Sequence, residues 1–246
     1  MTDSIALHDP RAKIKRAIYH INDLCNRVGP IDKTSSDLFV SDTDPETGGQ
    51  TFSARIPVEW SLIIGDCVHN LRAALDHLIC QAVLLNDLTP DHKTGFPIFS
   101  RSDSLPPGSI RKVKGTSQKV RDIIDRLNPC KRGHTDLCLL HDLDIEDKHR
   151  ALAVIWATTE ERASLWKVVE GIHTMLDSGD FPAVLRPEDD VLIFGDPDTA
   201  PNKYIEAPVQ IIFGEGPAKG QAVVPTLFKL VQVVDDIIDI FGREVF

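Results

Sequence analysis

The chain of 246 residues is long enough to bury a sizeable hydrophobic core, so it needs neither disulfides nor structural metals for stability. A composition of 42% hydrophobic and 26% charged residues is typical of a globular protein and excludes disorder on a large scale. The 27 basic and 37 acidic residues give a net charge of -10, which argues against nonspecific coating of nucleic acids or anionic membranes. We expect a single domain spanning residues 1–246.

The first residues of the chain do not combine a basic segment with an apolar run, so we expect no secretory signal. No uncharged apolar stretch reaches the roughly 18 residues that a membrane helix needs. The five cysteines form no C-x-x-C pair, which favours reduced thiols over a disulfide framework. These features predict a cytoplasmic protein without a membrane partner.

The first part of the chain predicts two helices separated by a hairpin. Apolar residues recur at helical spacing over residues 10–28, before a Gly-Pro pair that should end the helix. Short alternating runs at 37–41 and 51–55 flank a turn-rich segment and predict two paired strands. Residues 57–85 then predict one uninterrupted helix, about 40 Å long at 1.5 Å per residue.

The second part predicts further helices and a sheet. Helix is expected at 117–127 and, after Asn128-Pro129, at 135–143, where Thr135 or Asp136 could provide the N-cap. Runs rich in Val, Ile, Trp and Phe predict antiparallel strands at 151–159, 165–172, 190–195 and 209–214, within a β-rich portion at 151–214. The helical core is therefore assigned to 10–28, 57–85, 117–143 and 225–241. The predicted fold class is α+β, a helical bundle of about four helices joined to a small antiparallel β-sheet.

The helix predicted at 57–85 has an apolar face and, opposite it, a row of polar residues. The apolar face contains Ile64, Cys67, Val68, Leu71, Leu75, Leu78 and Ala82. The polar row contains Asp66, His69, Asn70, Ala73, Asp76, His77 and Cys80. The small side chain of Ala73 would let another segment or a substrate approach closely. Because unpaired buried polar groups are costly, the row must find either partners or water.

Two groups of residues are candidate metal ligands. His69 and His77 lie about 12 Å apart along the helix, so they cannot both contact one ion at about 2 Å. Asp66 with His69, or His77 with Cys80, could each supply two ligands to a divalent transition metal. A second candidate set shares one face if its helix is continuous: Cys130, His134, Cys138 and His141. The alternative is a protein without a cofactor, in which these are core thiols and hydrogen-bonded histidines.

The spacing of Arg72 and His77 resembles the R-x4-6-H motif of the HEPN superfamily. That superfamily consists of helical bundles, many of them metal-independent ribonucleases of toxin-antitoxin and antiphage systems. The resemblance implies that Arg72 holds an RNA phosphate and that His77 is the acid or base, converging across a homodimer. The residue types fit this chemistry, because histidine exchanges protons near neutral pH and a guanidinium binds phosphate oxygens. The alternative for Arg72 is an ion pair with Asp76, one helical turn further along.

Two longer motifs, GDCVHNLRAALDHL at 65–78 and DIEDKHR at 144–150, are similar to those of a family of uncharacterised bacterial proteins of about this length. Those proteins also show a stretch like Phe-Pro-Ile-Phe between the two motifs, here residues 96–99. This resemblance spans most of the chain and implies a family without implying a reaction.

The segment 144–150 is predicted to form the junction between a helix and the strand that follows it. Such junctions often deliver side chains into a cleft, and we expect Asp147 and His149 to meet Asp66, His69 and Asn70 across the bundle. The alternative is a charged turn that is simply hydrated.

Three functions are compatible with these features. The first is a HEPN-like, metal-independent endoribonuclease with a toxin or defence role, using Arg72 and His77 with His69, Asn70, Asp147 and His149 nearby. The second is a metal-dependent hydrolase, with Asp66, His69 and residues 147–149 around the ion. The third is a small-molecule binding or interaction protein in which the polar row fixes the register of the bundle.

Overall fold

The structure, a computed structural model, describes residues 5–28, 39–43, 50–54, 56–158, 191–194 and 205–246. These residues form five α-helices and two small antiparallel sheets. In chain order the elements are α1 His8–Val28, β1 Phe39–Thr43, β2 Gln50–Ala54, α2 Val58–Leu84, α3 Gln118–Leu127, α4 Thr135–His149, β3 Val154–Thr158, β4 Val191–Phe194, β5 Ile205–Phe213 and α5 Val223–Glu244. The predicted α+β class, a helical bundle with a small antiparallel sheet, is confirmed.

Helix α2 lies at the centre of the bundle, where it packs against α1, α4 and α5. Its predicted apolar face is buried, since every residue from Ile64 to Ala82 on that face is at most 2% exposed. Ion pairs at the rim join distant parts of the chain, because Arg11 on α1 binds both Asp235 and Asp239 on α5. The described helices include none that is long and apolar enough to cross a membrane.

The two sheets agree with the predicted strands where the structure describes them. Strands β1 and β2 pair antiparallel with Phe39 opposite Ala54, as the predicted hairpin requires. The second sheet has the order β3-β5-β4, with both pairs antiparallel. The predicted strand at 165–172 lies outside the described residues.

The predicted region 117–143 contains two separate helices, and the second begins at the predicted residue but has a different N-cap and a later end. Asn128 ends α3 in a left-handed conformation, with φ of 47°. His134 caps α4 through its side chain, which accepts a hydrogen bond from the backbone N–H of Leu137 at 3.4 Å, so the predicted caps Thr135 and Asp136 are wrong. Helix α4 continues to His149. The junction predicted at 144–150 is therefore the last turn and a half of this helix.

Candidate active site

Helices α2 and α4 cross with their chains running in opposite directions, and two contacts define their register. A Cβ atom added at Gly65 would lie 2.0 Å from Oδ1 of Asp147, so the Asp147 carboxylate occupies the space that this glycine leaves open. One turn along α2, His69 Nδ1 lies 3.3 Å from Oδ1 of Asp144, one turn back along α4. Continuing by one more turn places His141 opposite Arg72.

Asp144 is the buried acceptor at the centre of this contact. Its side chain is only 3% exposed, and its Oδ2 accepts a hydrogen bond from Lys148 Nζ at 2.5 Å. The same carboxylate holds His69, whose side chain is 56% exposed. When Nδ1 of His69 carries the proton, Asp144 fixes the ring and leaves Nε2 with a free lone pair, which is the arrangement of an oriented general base.

Asp147 adds a second titratable group beside the same histidine. Burial raises the pKa of the Asp147 carboxyl, and the negative charges of Asp144 and Asp66 raise it further, against the opposing effect of His69. A carboxyl group with a raised pKa can act as an acid closer to neutral pH than an ordinary aspartate. His149, at the exposed end of α4, has no hydrogen bond or ion pair within the described residues.

Helix α1 closes the other side of the polar row. Lys13 donates a hydrogen bond from Nζ to Oδ1 of Asn70 at 3.4 Å, and Nδ2 of Asn70 donates to the Asp66 carbonyl at 2.7 Å. His20 is buried on α1, and its pKa is lowered by that burial and by Arg16, against the field of Asp66. The structure thus brings Asp66, His69, Asn70, Asp144 and Asp147 together between α1 and α4. We call these five residues the acid–base cluster.

Arg72 has a different environment from the rest of the row. It is 6% exposed, and its Nη1 donates to Oδ1 of Asp76 at 2.7 Å while Nη2 donates to the Phe96 carbonyl at 2.9 Å. The same Asp76 oxygen accepts from the backbone N–H of Phe96 at 2.8 Å. We call this arrangement of Arg72, Asp76 and Phe96 the arginine clamp. Gly95 permits it, because a Cβ atom there would lie 2.6 Å from Oδ1 of Asp76.

The structure does not bring Arg72 and His77 to one point within the chain. The two residues leave α2 about 140° apart, as five positions on a helix require. His77 is partly exposed, whereas Arg72 is occupied by the arginine clamp. Convergence of the two side chains across a homodimer stays a prediction.

Neither candidate metal site gains geometric support. Among the described residues, no group of three or more His, Cys, Asp or Glu side chains is arranged to hold a metal ion. In the second candidate set His134 caps α4, and Cys130 donates from Sγ to Oδ1 of Asn128 at 3.1 Å. Burial, followed by the charge of Asp142, raises the pKa of the Cys138 thiol to about 11, so the thiolate that a metal prefers is disfavoured there.

The sequence analysis did not assign two residues of this site, although the sequence contains a pattern that indicates each of them. Asp144 precedes Lys148 by four positions, the spacing of an ion pair on one helix face, which would have indicated that α4 continues. Gly65 is the only glycine in α2, and a glycine inside a long helix often marks a close approach by another element.

The acid–base cluster therefore combines an exposed histidine, a buried carboxylate that orients it and a second carboxyl group with a raised pKa. The arginine clamp lies next to it on the same helix and holds the segment that contains Phe96. Comparison of the chain with protein-family models, with curated proteins and with solved structures finds no match.

Proposed function

We propose that the protein is a metal-independent endoribonuclease, the activity that the HEPN resemblance implies, but with His69 as its acid–base residue in place of His77. The observation that supports this most directly is the contact of His69 Nδ1 with the buried carboxylate of Asp144 at 3.3 Å. A buried carboxylate on one ring nitrogen selects the tautomer that leaves the other nitrogen free to accept a proton. The His69 side chain is 56% exposed, so a substrate can reach it.

RNA is the substrate that this group can cleave without a metal or cofactor, because RNA carries its own nucleophile. Nε2 of His69 takes the proton of a 2′-OH, the 2′ oxygen attacks the adjacent phosphorus, and the bond from phosphorus to the 5′ oxygen breaks. The leaving oxygen receives a proton from the Asp147 carboxyl group, and a 2′,3′-cyclic phosphate is released. The raised pKa of Asp147 favours its protonated form, as this step requires.

Phosphate binding needs local positive charge, since the whole chain carries a net charge of -10. Lys13 and Lys148 supply it on either side of the polar row, where each contacts a member of the acid–base cluster. In this proposal Arg72 acts through the arginine clamp, which holds its neighbouring segment in place, and does not touch the RNA.

A second candidate is a binding or interaction protein in which the polar network only fixes the register of the helices. The pairing of Asp144 with residues of α2 and α4, together with the arginine clamp, favours this candidate. It differs from the first in one measurable respect, because it requires no proton transfer at His69.

The deciding experiment measures cleavage of a short single-stranded RNA by the purified protein in excess EDTA. We expect His69→Gln to lower the rate by about 100-fold or more, the usual contribution of a general base. The matched control is His8→Gln, because the His8 side chain is 83% exposed at the start of α1. His77→Ala, tested beside them, measures the role that the R-x4-6-H resemblance assigns to that residue.

Equal rates for His69→Gln and the wild type would refute the assignment of His69. A strong loss of cleavage rate in His77→Ala alone would assign the catalytic role to His77, as the R-x4-6-H resemblance implies. Absence of EDTA-resistant cleavage by the wild type would favour the binding or interaction protein.

A further inference from the structure

Three elements bring positively charged and histidine side chains together beside the arginine clamp. Arg72 comes from α2, and the register of α2 and α4 places His141 opposite it. Lys112 comes from the loop before α3, where its carbonyl accepts a hydrogen bond from the backbone N–H of Gly95 at 3.0 Å. Gly95 in turn packs against Asp76, so Lys112 is fixed close to the same clamp. Lys148 on α4 is 53% exposed, and its charge acts on Lys112, which places it at the rim of this region.

The acidic residues of this region already have partners. Asp76 accepts from Arg72 and from the Phe96 backbone, and Asp144 accepts from Lys148. Asp142 accepts from the Ser100 hydroxyl at 2.5 Å. The carboxylates are therefore engaged by donors that the protein itself supplies.

Two nitrogen-bearing groups of this region differ from those carboxylates, because within the described residues one is a half-buried cation without an ion pair and the other is a buried ring nitrogen without a hydrogen bond. Lys112 is half-buried, yet its Nζ has no hydrogen bond or ion pair among the described residues. Nδ1 of His141 is also buried without a hydrogen-bond partner in that part of the chain. Buried polar groups in native proteins nearly always have partners, so Nδ1 of His141 is an exception that points to a bound group beside it.

The electrostatics of this region favour the binding of a negative charge. The pKa of Lys112 is lowered by burial first and then by the positive charge of Arg72, against the opposing effect of Asp76. The pKa of His141 is lowered by burial and by Arg72 and Lys112, against Asp142 and Asp144. An anion between these groups would reverse the repulsion, and it would accept hydrogen bonds from Lys112 and, when Nδ1 of His141 carries the proton, from that nitrogen.

We propose that Lys112 and His141, with Lys148 at the rim, form a binding site for a phosphate group beside the arginine clamp. A tetrahedral phosphate offers several acceptor oxygens to donors that arrive from different elements, as they do here. The ligand is free phosphate or the phosphate of a nucleotide or RNA, which share this chemistry. The site does not rest on the proposed ribonuclease function, because it can bind without cleavage.

The test titrates the folded protein with inorganic phosphate, at constant ionic strength, and follows amide chemical shifts by nuclear magnetic resonance. We expect saturable binding with a Kd of about 1 mM or tighter. Lys112→Gln should weaken binding at least about tenfold, the effect of losing one charged donor. The control Lys114→Gln removes the same charge from an exposed position two residues along and should bind like the wild type.

The same variants give a second readout that does not depend on the ligand. Without phosphate, Lys112→Gln should melt at a higher temperature than the wild type, because it removes a half-buried charge that lacks a partner. Addition of phosphate should raise the melting temperature of the wild type and of Lys114→Gln, with little effect on Lys112→Gln. This result also shows that loss of binding is not loss of folding.

Absence of saturable binding, or equal affinity in Lys112→Gln and the wild type, would overturn the site. Separate titrations with a ribonucleoside monophosphate and with a noncleavable dinucleotide tell which phosphate source binds more tightly than the free ion. His69→Gln is included because it keeps the phosphate site. Its binding of phosphate without RNA cleavage would separate this site from the proposed reaction.

Discussion

At the scale of single residues, the arginine clamp shows that Arg72, a residue of the R-x4-6-H motif, uses its guanidinium to hold the fold together. A buried guanidinium is costly unless its donors are used, and Arg72 uses two of them on Asp76 and on the Phe96 carbonyl. The loop that contains Phe96 thereby gains a fixed position on α2 without any regular secondary structure. The main role of Arg72 in the structure is therefore to stabilise the fold.

Replacing Arg72 by methionine tests this role. Arg72→Met leaves the Phe96 carbonyl without its donor and Asp76 without its cation, so we expect the free energy of unfolding to fall by roughly 2 to 4 kcal/mol. Urea denaturation measures the loss. Arg111→Met is the control, since Arg111 is exposed and a surface substitution usually changes stability by less than about 0.5 kcal/mol. Equal stability of the two variants would contradict the clamp.

The sequence predicted part of this local structure. The four-residue spacing of Arg72 and Asp76 was enough to predict their ion pair, because both lie on one helix whose geometry is known. The Phe96 carbonyl could not be predicted as a partner, because the path of an irregular loop is not encoded in a periodic pattern. For the same reason the position of Lys112 could not be predicted. It is held near the clamp by the hydrogen bond that its carbonyl accepts from the backbone N–H of Gly95.

At the scale of elements, α4 is the helix that the sequence described least well. Apolar residues at helical spacing predicted an end at Leu143, and the charged run that follows looked like a turn. Ion pairs one helical turn apart, Asp144 with Lys148 and Glu146 with Arg150, stabilise the continuation instead. Charge patterning therefore carried information that hydrophobic periodicity alone omits.

The contact between Gly65 and Asp147 gives a prediction for the packing of α2 on α4. Alanine has a higher helix propensity than glycine by up to about 1 kcal/mol, so Gly65→Ala would stabilise an isolated helix. In this protein the new Cβ would lie 2.0 Å from Oδ1 of Asp147 and must displace that carboxylate. We expect Gly65→Ala to be destabilising or neutral in the wild type, and stabilising in the Asp147→Ala background.

A double-mutant cycle by urea denaturation measures this difference directly. The interaction energy between the two positions should be about 1 kcal/mol or more, as is usual for residues in contact. Additive effects of the two substitutions would contradict the close approach of α4 to Gly65. Because Asp147 is also the proposed acid, Gly65→Ala should slow any RNA cleavage even where stability is unchanged.

At the scale of the whole molecule, the sequence predicted the elements better than their arrangement. The helix positions and the α+β class followed from periodicity and turn residues, which act over short distances. The register that brings Asp144 to His69 depends on side-chain packing between segments 75 positions apart in the chain. The ion pair of Lys229 on α5 with Asp136 on α4 also depends on packing between distant segments, here 93 positions apart. The sequence therefore predicted only part of a site whose residues come from different helices.

One buried and two partly buried histidines give the whole molecule a predicted dependence on pH. His20, His134 and His141 lie in different parts of the bundle, and burial is the largest cause of the lowered pKa in each. Their unfolded pKa is 6.5, so below that value the unfolded chain binds more protons than the folded one. Stability is therefore lost as the pH falls through 6.5 towards the lowered folded values. Asp147 acts in the opposite direction, because its raised pKa favours the folded state at acidic pH.

Urea denaturation at about pH 7.5 and about pH 5.5, in buffer without phosphate, measures this loss in a window above the range where most carboxylates titrate. The double variant His20→Gln/His141→Gln should lose less stability on acidification than the wild type, since two of the groups that resist protonation are gone. His8→Gln should behave like the wild type, because His8 is exposed. Identical pH dependence in all three proteins would show that these histidines gain protons equally in the folded and unfolded states. Added phosphate should reduce the loss in the wild type, because an anion beside His141 favours its protonated form.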